Sequence, residues 1–134
     1  MRREQLSARP GWREIVINQG LSFPDTPRPD GSVTPYWMDD VAYEFTIEQI
    51  EELESVTAQL WDMSLKTVEH VLRQGNLADF GLPASALDYL RWSWDTQQPT
   101  VYGRFDVAWD GIGQPKLLEF NADTPTGLIE SSVC

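Results

Sequence analysis

Three features of the sequence predict an α+β fold for this chain of 134 residues. Apolar residues recur at three- and four-residue spacing after Thr46 and again after Pro83, which is typical of helices. Between positions 101 and 109 apolar and polar residues alternate, which is typical of a strand. A second short strand, Lys116 to Asn121, follows a turn signal at Asp110 to Gly113. We expect the helices to pack on this antiparallel hairpin and the hairpin to belong to a larger sheet, because two strands alone are marginal in water.

The longest predicted helix begins at Thr46 and ends at Gly75. Thr46 and Gln49 have the spacing of a capping box, and glycine is the usual residue beyond a helix end. Acidic residues crowd the first turns, where they complement the positive end of the helix, so a solvated face explains them. The predicted buried stripe consists of Ile47, Ile50, Leu53, Thr57, Leu60, Ser64, Val68 and Val71.

The remaining elements are less regular in sequence. A second helix is predicted to begin near Pro83, with proline in its first turn, and to end before Gln97. Thr126 is a candidate cap for a third helix. The apolar run at 15–17 fits a strand or a short helix equally well. Four prolines between positions 20 and 35 exclude long regular structure, so we expect a surface loop there.

Charge and cysteine content exclude several classes of function. The net charge is −11, from 21 acidic and 10 basic residues, which disfavours nucleic acid and anionic membranes as partners. Cys134 is the only cysteine, so an internal disulfide is impossible and a reducing compartment is expected. No apolar run follows Arg2 and Arg3, so the sequence predicts neither a signal peptide nor a membrane helix, and we expect a cytoplasmic protein.

The predicted hairpin carries four polar residues that are suited to chemistry. Arg104 and Asp106 lie two apart on one strand, and Glu119 and Asn121 lie two apart on the other, so each pair shares a face of its strand. A four-residue loop from Asp110 to Gly113 would set Arg104 opposite Glu119 and bring all four to one face. A three- or five-residue loop would separate the pairs, because a one-residue change of register reverses every side chain. We expect the even loop.

Several interpretations of these four residues are open. Hard cations such as Mg²⁺ prefer oxygen ligands, and a shared glutamate bridges paired ions well. The guanidinium of Arg104 fits a phosphate or acyl-phosphate oxygen. Together these features indicate phosphoryl chemistry on magnesium. In a simpler interpretation, Arg104 and Glu119 form a cross-strand salt bridge, and Asp106 and Asn121 are solvated. A hydrolase with Asp106 and Glu119 as an acid/base pair is disfavoured, because a nearby arginine lowers carboxyl pKa values. A non-catalytic acidic binding module is the last alternative.

Five segments of the chain are specific enough in sequence to serve as motifs. Two belong to the hairpin, Tyr102-Gly103-Arg104-Phe105-Asp106 and Pro115-Lys116-Leu117-Leu118-Glu119-Phe120-Asn121-Ala122-Asp123-Thr124-Pro125-Thr126. Three lie earlier, Arg9-Pro10-Gly11-Trp12, Pro35-Tyr36-Trp37 and Tyr43-Glu44-Phe45-Thr46. Together they resemble the glutathionylspermidine synthase family of ATP-grasp ligases along nearly the whole chain. The resemblance implies that the hairpin belongs to an ATP-grasp-type sheet.

The resemblance also implies roles for individual residues. Arg104 is the expected catalytic residue, in contact with ATP and the transferred phosphate. The expected ATP-binding residues are Arg104, Phe105 and Asp106. The expected ligands of two Mg²⁺ ions are Asp106, Glu119 and Asn121, with the glutamate touching both ions. The expected substrate-binding residues are Thr124 and Thr126, which stand where family members have serines near the peptide substrate.

The implied reaction joins a carboxylate to an amine through an acyl phosphate, with ATP and two Mg²⁺ ions as cofactors. The family suggests a peptide such as glutathione as the acid and a polyamine such as spermidine as the amine. Lys66 and Lys116 are the only lysines, and neither lies in a glycine-rich phosphate loop. We therefore expect residues 1–134 to be the N-terminal part of a longer enzyme and to be inactive alone as a ligase.

Overall fold

A computed structural model of the chain describes residues 1–75, 77–123 and 126–134. Within them it shows four α-helices, a 3₁₀ helix at Leu77–Phe80 and three two-stranded antiparallel sheets, which agrees with the predicted α+β class. The chain forms two compact units, one of Met1–Gln49 with the described part of Thr124–Cys134, the other of Ile50–Asp123. The elements are β1 (Arg2–Gln5), α1 (Trp12–Asn18), β2 (Asp25–Pro27), β3 (Val33–Pro35), β4 (Val41–Glu44), α2 (Ile47–Gln74), α3 (Ala84–Asp95), β5 (Arg104–Ala108), β6 (Lys116–Asn121) and α4 (Leu128–Ser132).

The first unit is built on short elements that the sequence indicated weakly. β1 pairs with β4, and the ladder ends in an ion pair between Arg2 and Glu44 (2.8 Å). The apolar run at 15–17 lies in α1, and its central residue, Val16, is fully buried. The proline-rich segment is not only a loop, as predicted, but contains the small hairpin of β2 and β3. Three-residue strands tolerate prolines because, among the described residues, each of these two strands is paired along one edge only.

Asp39 ties the beginning of the chain to the end of the proline-rich segment. Its carboxylate accepts hydrogen bonds from the Arg9 backbone N–H (2.6 Å), from Arg9 Nε (2.9 Å) and from Trp37 Nε1 (3.1 Å). These donors lower the pKa of Asp39 to about 2. Two of the N-terminal segments that resemble the family therefore meet in one structural contact.

The ends of α2 were predicted correctly, but its burial was not. Thr46 N–H donates to Gln49 Oε1 (3.1 Å) and Gln49 N–H donates to Thr46 Oγ1 (3.3 Å), which is the predicted capping box, and the helix ends at Gln74 before Gly75. None of its residues is buried, and Ile47 is 65% exposed. The predicted stripe is open because part of it, including Ile50 and Leu53, borders an uncovered groove of about 490 Å³.

The other helices match the prediction with one correction. α3 follows Pro83 and stops at Asp95. α4 exists, but its N-cap is Gly127 at φ 87°, so the predicted cap at Thr126 was wrong. A residue without Cβ reaches this left-handed conformation at little cost. Within the described part of the chain, no helix combines the length and the apolar character that crossing a membrane requires.

β5 and β6 pair only with each other among the described residues. The N-terminal strands β1 to β4 form separate two-stranded sheets and do not extend this hairpin. The larger ATP-grasp-type sheet stays a prediction.

Candidate functional site

The register of the hairpin brings the four predicted site residues to one face. Arg104 is directly opposite Asn121, and Asp106 is directly opposite Glu119. Directly opposed residues of antiparallel strands project to the same side. The shared face is therefore confirmed, whereas the predicted pairing of Arg104 with Glu119 was wrong by two residues.

The loop explains why the pairing differs. It contains seven residues, 109–115, rather than the predicted four. Asp110 Oδ1 accepts the Ile112 N–H (2.9 Å), and Trp109 Nε1 donates to the Gly113 carbonyl (2.8 Å), so Trp109 belongs to the loop and not to the strand. Gly111 and Gly113 have φ of 86° and 70°, which favours glycine at both turns.

A β-bulge at Leu118 restores the shared face. Beyond the seven-residue loop, regular pairing would continue from Ala108 opposite Lys116 to Arg104 opposite Phe120, and the polar pairs would then lie on opposite faces. The observed register shifts between Asp106 and Val107, which leaves Leu118 as an extra residue on β6. The bulge therefore reverses the change of face that a loop with an odd number of residues would cause.

The polar side chains pair within their own strands. Arg104 Nε donates to Asp106 Oδ1 (2.6 Å) and Arg104 Nη2 donates to Asp106 Oδ2 (3.2 Å). Asn121 Nδ2 donates to Glu119 Oε1 (2.5 Å). Hydrogen bonding to the Asp106 carboxylate raises the pKa of the Arg104 guanidinium above its ordinary value. These bonds replace the cross-strand salt bridge of the simpler interpretation.

The donor set fits a hard divalent cation. The carboxylates of Asp106 and Glu119 start from opposed positions, which places their Cβ atoms about 4.5–5.5 Å apart. Among the described residues no cluster contains three or more His, Cys, Asp or Glu side chains that could hold a metal. Magnesium sites commonly use only one or two carboxylates, with substrate phosphates and waters completing the shell, and the amide oxygen of Asn121 is a further hard ligand. A cation at Asp106 would compete with the Arg104 guanidinium, which already donates to both carboxylate oxygens.

The opposite face of the hairpin is aromatic. Phe105 stacks on Phe120 with ring centroids 4.2 Å apart, and Trp61 of α2 meets Phe120 edge-on at 6.1 Å. Alternation along β5 sets Phe105 on the side away from Arg104 and Asp106. Its predicted role in ATP binding stays a prediction, while its observed ring contact is with Phe120, which in turn meets Trp61 of α2.

Two other features surround the site. The residues at 100–105 line an open groove of about 420 Å³ together with Thr57, Trp61 and Phe120. The register also sets Lys116 opposite Ala108, on the same face as Arg104. Sequence reasoning missed this lysine, because the predicted four-residue loop would pair Lys116 with Val107, on the other face, whereas the seven-residue loop pairs it with Ala108.

The hairpin does not contain the two predicted substrate-binding residues, Thr124 and Thr126. Thr124 is outside the described residues. Thr126 is exposed in the turn before α4 and belongs to the first unit. Their role stays a prediction.

Comparison with known proteins identifies the family. Residues 3–134 match the model of the glutathionylspermidine synthase preATP-grasp family, and the chain belongs to that family. A relative from Haemophilus influenzae (strain ATCC 51907 / DSM 11121 / KW20 / Rd), named "Putative acid--amine ligase", is 37% identical over 125 residues. The match covers 93% of this chain and 31% of the relative, so the chain spans about a third of the relative's length. The resemblance in the sequence is thereby confirmed.

Proposed function

We propose that this chain forms part of an ATP-dependent carboxylate–amine ligase similar to glutathionylspermidine synthase. The observation that carries the proposal is the single polar face on which Arg104, Asp106, Glu119 and Asn121 lie. Family membership and the name of the Haemophilus relative support the same class of reaction. The relative's length supports a further lobe in the complete protein, and an ATP-grasp lobe would supply further nucleotide contacts.

The proposed reaction has two steps. A carboxylate oxygen of the acid attacks the γ-phosphorus of ATP, the bond to the β-phosphate oxygen breaks, and ADP leaves. The amine nitrogen of the second substrate then attacks the acyl carbon, inorganic phosphate leaves, and the nitrogen loses a proton to form the amide. No side-chain nucleophile is required, so the residues of the hairpin act by binding and by electrostatics.

Arg104 is the proposed catalytic residue. Its guanidinium already forms a two-pronged contact with the Asp106 carboxylate, and the same planar fork fits two oxygens of a phosphoryl group. In the complex Arg104 exchanges its carboxylate partner for the phosphate. Its position on the strand is kept by the ladder contact with Asn121.

Asp106, Glu119 and Asn121 would hold two Mg²⁺ ions, with Glu119 shared between them. When bound, the ions supply positive charge that neutralises the phosphate oxygens. The exchange at Arg104 frees the Asp106 carboxylate for this role. Asn121 would contribute its amide Oδ1, because the hydrogen bond to Glu119 uses only its Nδ2.

The substrates are proposed from the family alone. A peptide such as glutathione would supply the carboxylate, and a polyamine such as spermidine would supply the amine. The net charge of −11 favours a cationic amine over an anionic macromolecule. We also propose the cytoplasm as the compartment, since free ATP and reduced thiols coexist there.

The test uses the complete protein and couples ATP hydrolysis to amide formation. We expect ADP release to require both an acid and an amine. Asp106→Ala and Glu119→Ala should each lower turnover by about 100-fold or more, which is typical when a charged group at a transition state is removed. Asp95→Ala, at an exposed carboxylate that ends α3, is the matched control. Turnover that survives in both site variants would exclude the ligase mechanism assigned to Asp106 and Glu119, whereas a wild type that releases no ADP with any acid and amine would favour a binding module.

A further inference from the structure

Gly103, the residue before β5, lies where a side chain would collide with Phe120. A Cβ at this position would lie 2.9 Å from Phe120 Cε2 and 3.4 Å from Phe120 Cζ. Carbon atoms in protein interiors prefer about 3.5–4.0 Å. Glycine is therefore required here by the close approach of the ring.

Two aromatic neighbours restrict the Phe120 ring, which otherwise borders the open groove. Phe105 stacks against it with planes 23° apart, and Trp61 meets it at 87°. Phe105 is also its direct partner in the ladder. A side chain at Gly103 would push on a ring that is held on two further sides, so the strain would pass into the backbone of β6.

Phe120 stands between two site residues. Glu119 and Asn121 flank it in sequence and project to the opposite face of β6. A rotation of the strand at Phe120 would change the direction of both neighbouring side chains. Metal and phosphate sites tolerate displacements of only about 0.5 Å, so a shift of this kind would be felt at the site.

We propose that Gly103 and Phe120 are positioning residues, which set the direction of Glu119 and Asn121 toward Asp106 from the aromatic face. The identity of the ligands at the site rests on the proposed function. The placement of β6 by Gly103 and Phe120 does not depend on that function. The bulge at Leu118 gives the strands their shared face, and the contact between Gly103 and Phe120 holds the strand beyond the bulge in that register.

The experiment introduces Gly103→Ala into the complete protein in two backgrounds, wild type and Phe120→Leu. Leucine lacks the Cε2 and Cζ atoms that the new methyl group would meet. Mn²⁺ affinity in the presence of a non-hydrolysable ATP analogue is measured by electron paramagnetic resonance. We expect Gly103→Ala to weaken Mn²⁺ binding by about 10-fold or more in the wild type, as is typical of lost positioning contacts. In the Phe120→Leu background the same change should cost less than about 3-fold.

Hydrogen exchange on the same proteins provides a second measurement that does not depend on ligands. Gly103→Ala should speed exchange at the β6 amides and leave α3 unchanged, and Phe120→Leu should suppress that difference. Val101→Ala is the control, because Val101 precedes Gly103 by two residues and is 93% exposed. Equal losses of affinity in both backgrounds, or unchanged β6 exchange, would overturn the proposal. If the wild type binds no Mn²⁺, the proposed function fails, and the exchange pattern alone decides the positioning role.

Discussion

Lowering the pH should reduce the stability of the first unit, because Asp39 becomes protonated. The Asp39 side chain is 3% exposed and accepts hydrogen bonds from Arg9 and Trp37, which hold its pKa at about 2 against an ordinary value of 3.8. This difference corresponds to about 2 kcal/mol of stability. Arg9 is 44% exposed, so solvent screens part of the interaction and we expect about 1 kcal/mol. Because folding depresses the pKa, the contribution is complete above about pH 5 and is lost as the pH falls through 3.8 toward 2.

The assay compares urea unfolding of the wild type and Asp39→Asn between pH 7 and pH 3. At pH 7 the wild type should be the more stable protein, by about 1 kcal/mol from the charge alone. The gap between the two free energies of unfolding should narrow as the solution becomes acid, since the wild type loses a contribution that the variant never had. Other carboxylates titrate in both proteins and cancel in the difference. A gap that stays constant from pH 7 to pH 3 would refute the assigned ion pair.

Two further predictions concern the helix cap and Arg104, the proposed catalytic residue. Thr46→Ala should lower the free energy of unfolding by about 1 kcal/mol, because Gln49 N–H loses its acceptor. Thr46→Ser keeps a hydroxyl and should retain most of that stability. Equal losses of stability in chemical denaturation of the two variants would contradict the capping box. Arg104→Lys in the complete protein should reduce ATP turnover by about 10-fold or more although the charge is kept, because lysine cannot form the two-pronged contact. Arg91→Lys on α3 is the control. Full activity of Arg104→Lys in steady-state kinetics would show that the two-pronged guanidinium contact is dispensable.

The sequence was sufficient where local chemistry decides the structure. The boundaries of α2 follow from Thr46, Gln49 and Gly75, and the beginning of α3 follows from Pro83, since these residues act through their own backbone. Alternation along the hairpin correctly placed Arg104 and Asp106 on one face of β5. Those features needed no knowledge of distant contacts.

Features set by longer-range contacts escaped prediction. The pairing of β1 with β4 could not be read from Arg-Arg-Glu-Gln, because that strand has no apolar alternation. The turn signal marked where the hairpin reverses but not how many residues the loop takes from each strand. The bulge at Leu118 has no signature of its own in this sequence, although it decides whether Glu119 shares a face with Asp106.

The burial of α2 was overestimated for a different reason. Periodicity identifies a face that is suited to burial, but it does not show whether a partner covers that face. Ile47 is 65% exposed and Val68 is 40% exposed among the described residues. The apolar stripe is present as predicted, and only its cover is absent from this part of the structure.

The central claim is that Asp106, Glu119 and Asn121 hold two divalent ions against the phosphates of ATP. Counting the Mn²⁺ ions bound to the complete protein with a non-hydrolysable ATP analogue tests it most directly. We predict two ions in the wild type, one after Asp106→Asn, one after Asn121→Ala, and weakened binding of both after Glu119→Gln. Two ions bound with unchanged affinity in all three variants would contradict the assignment.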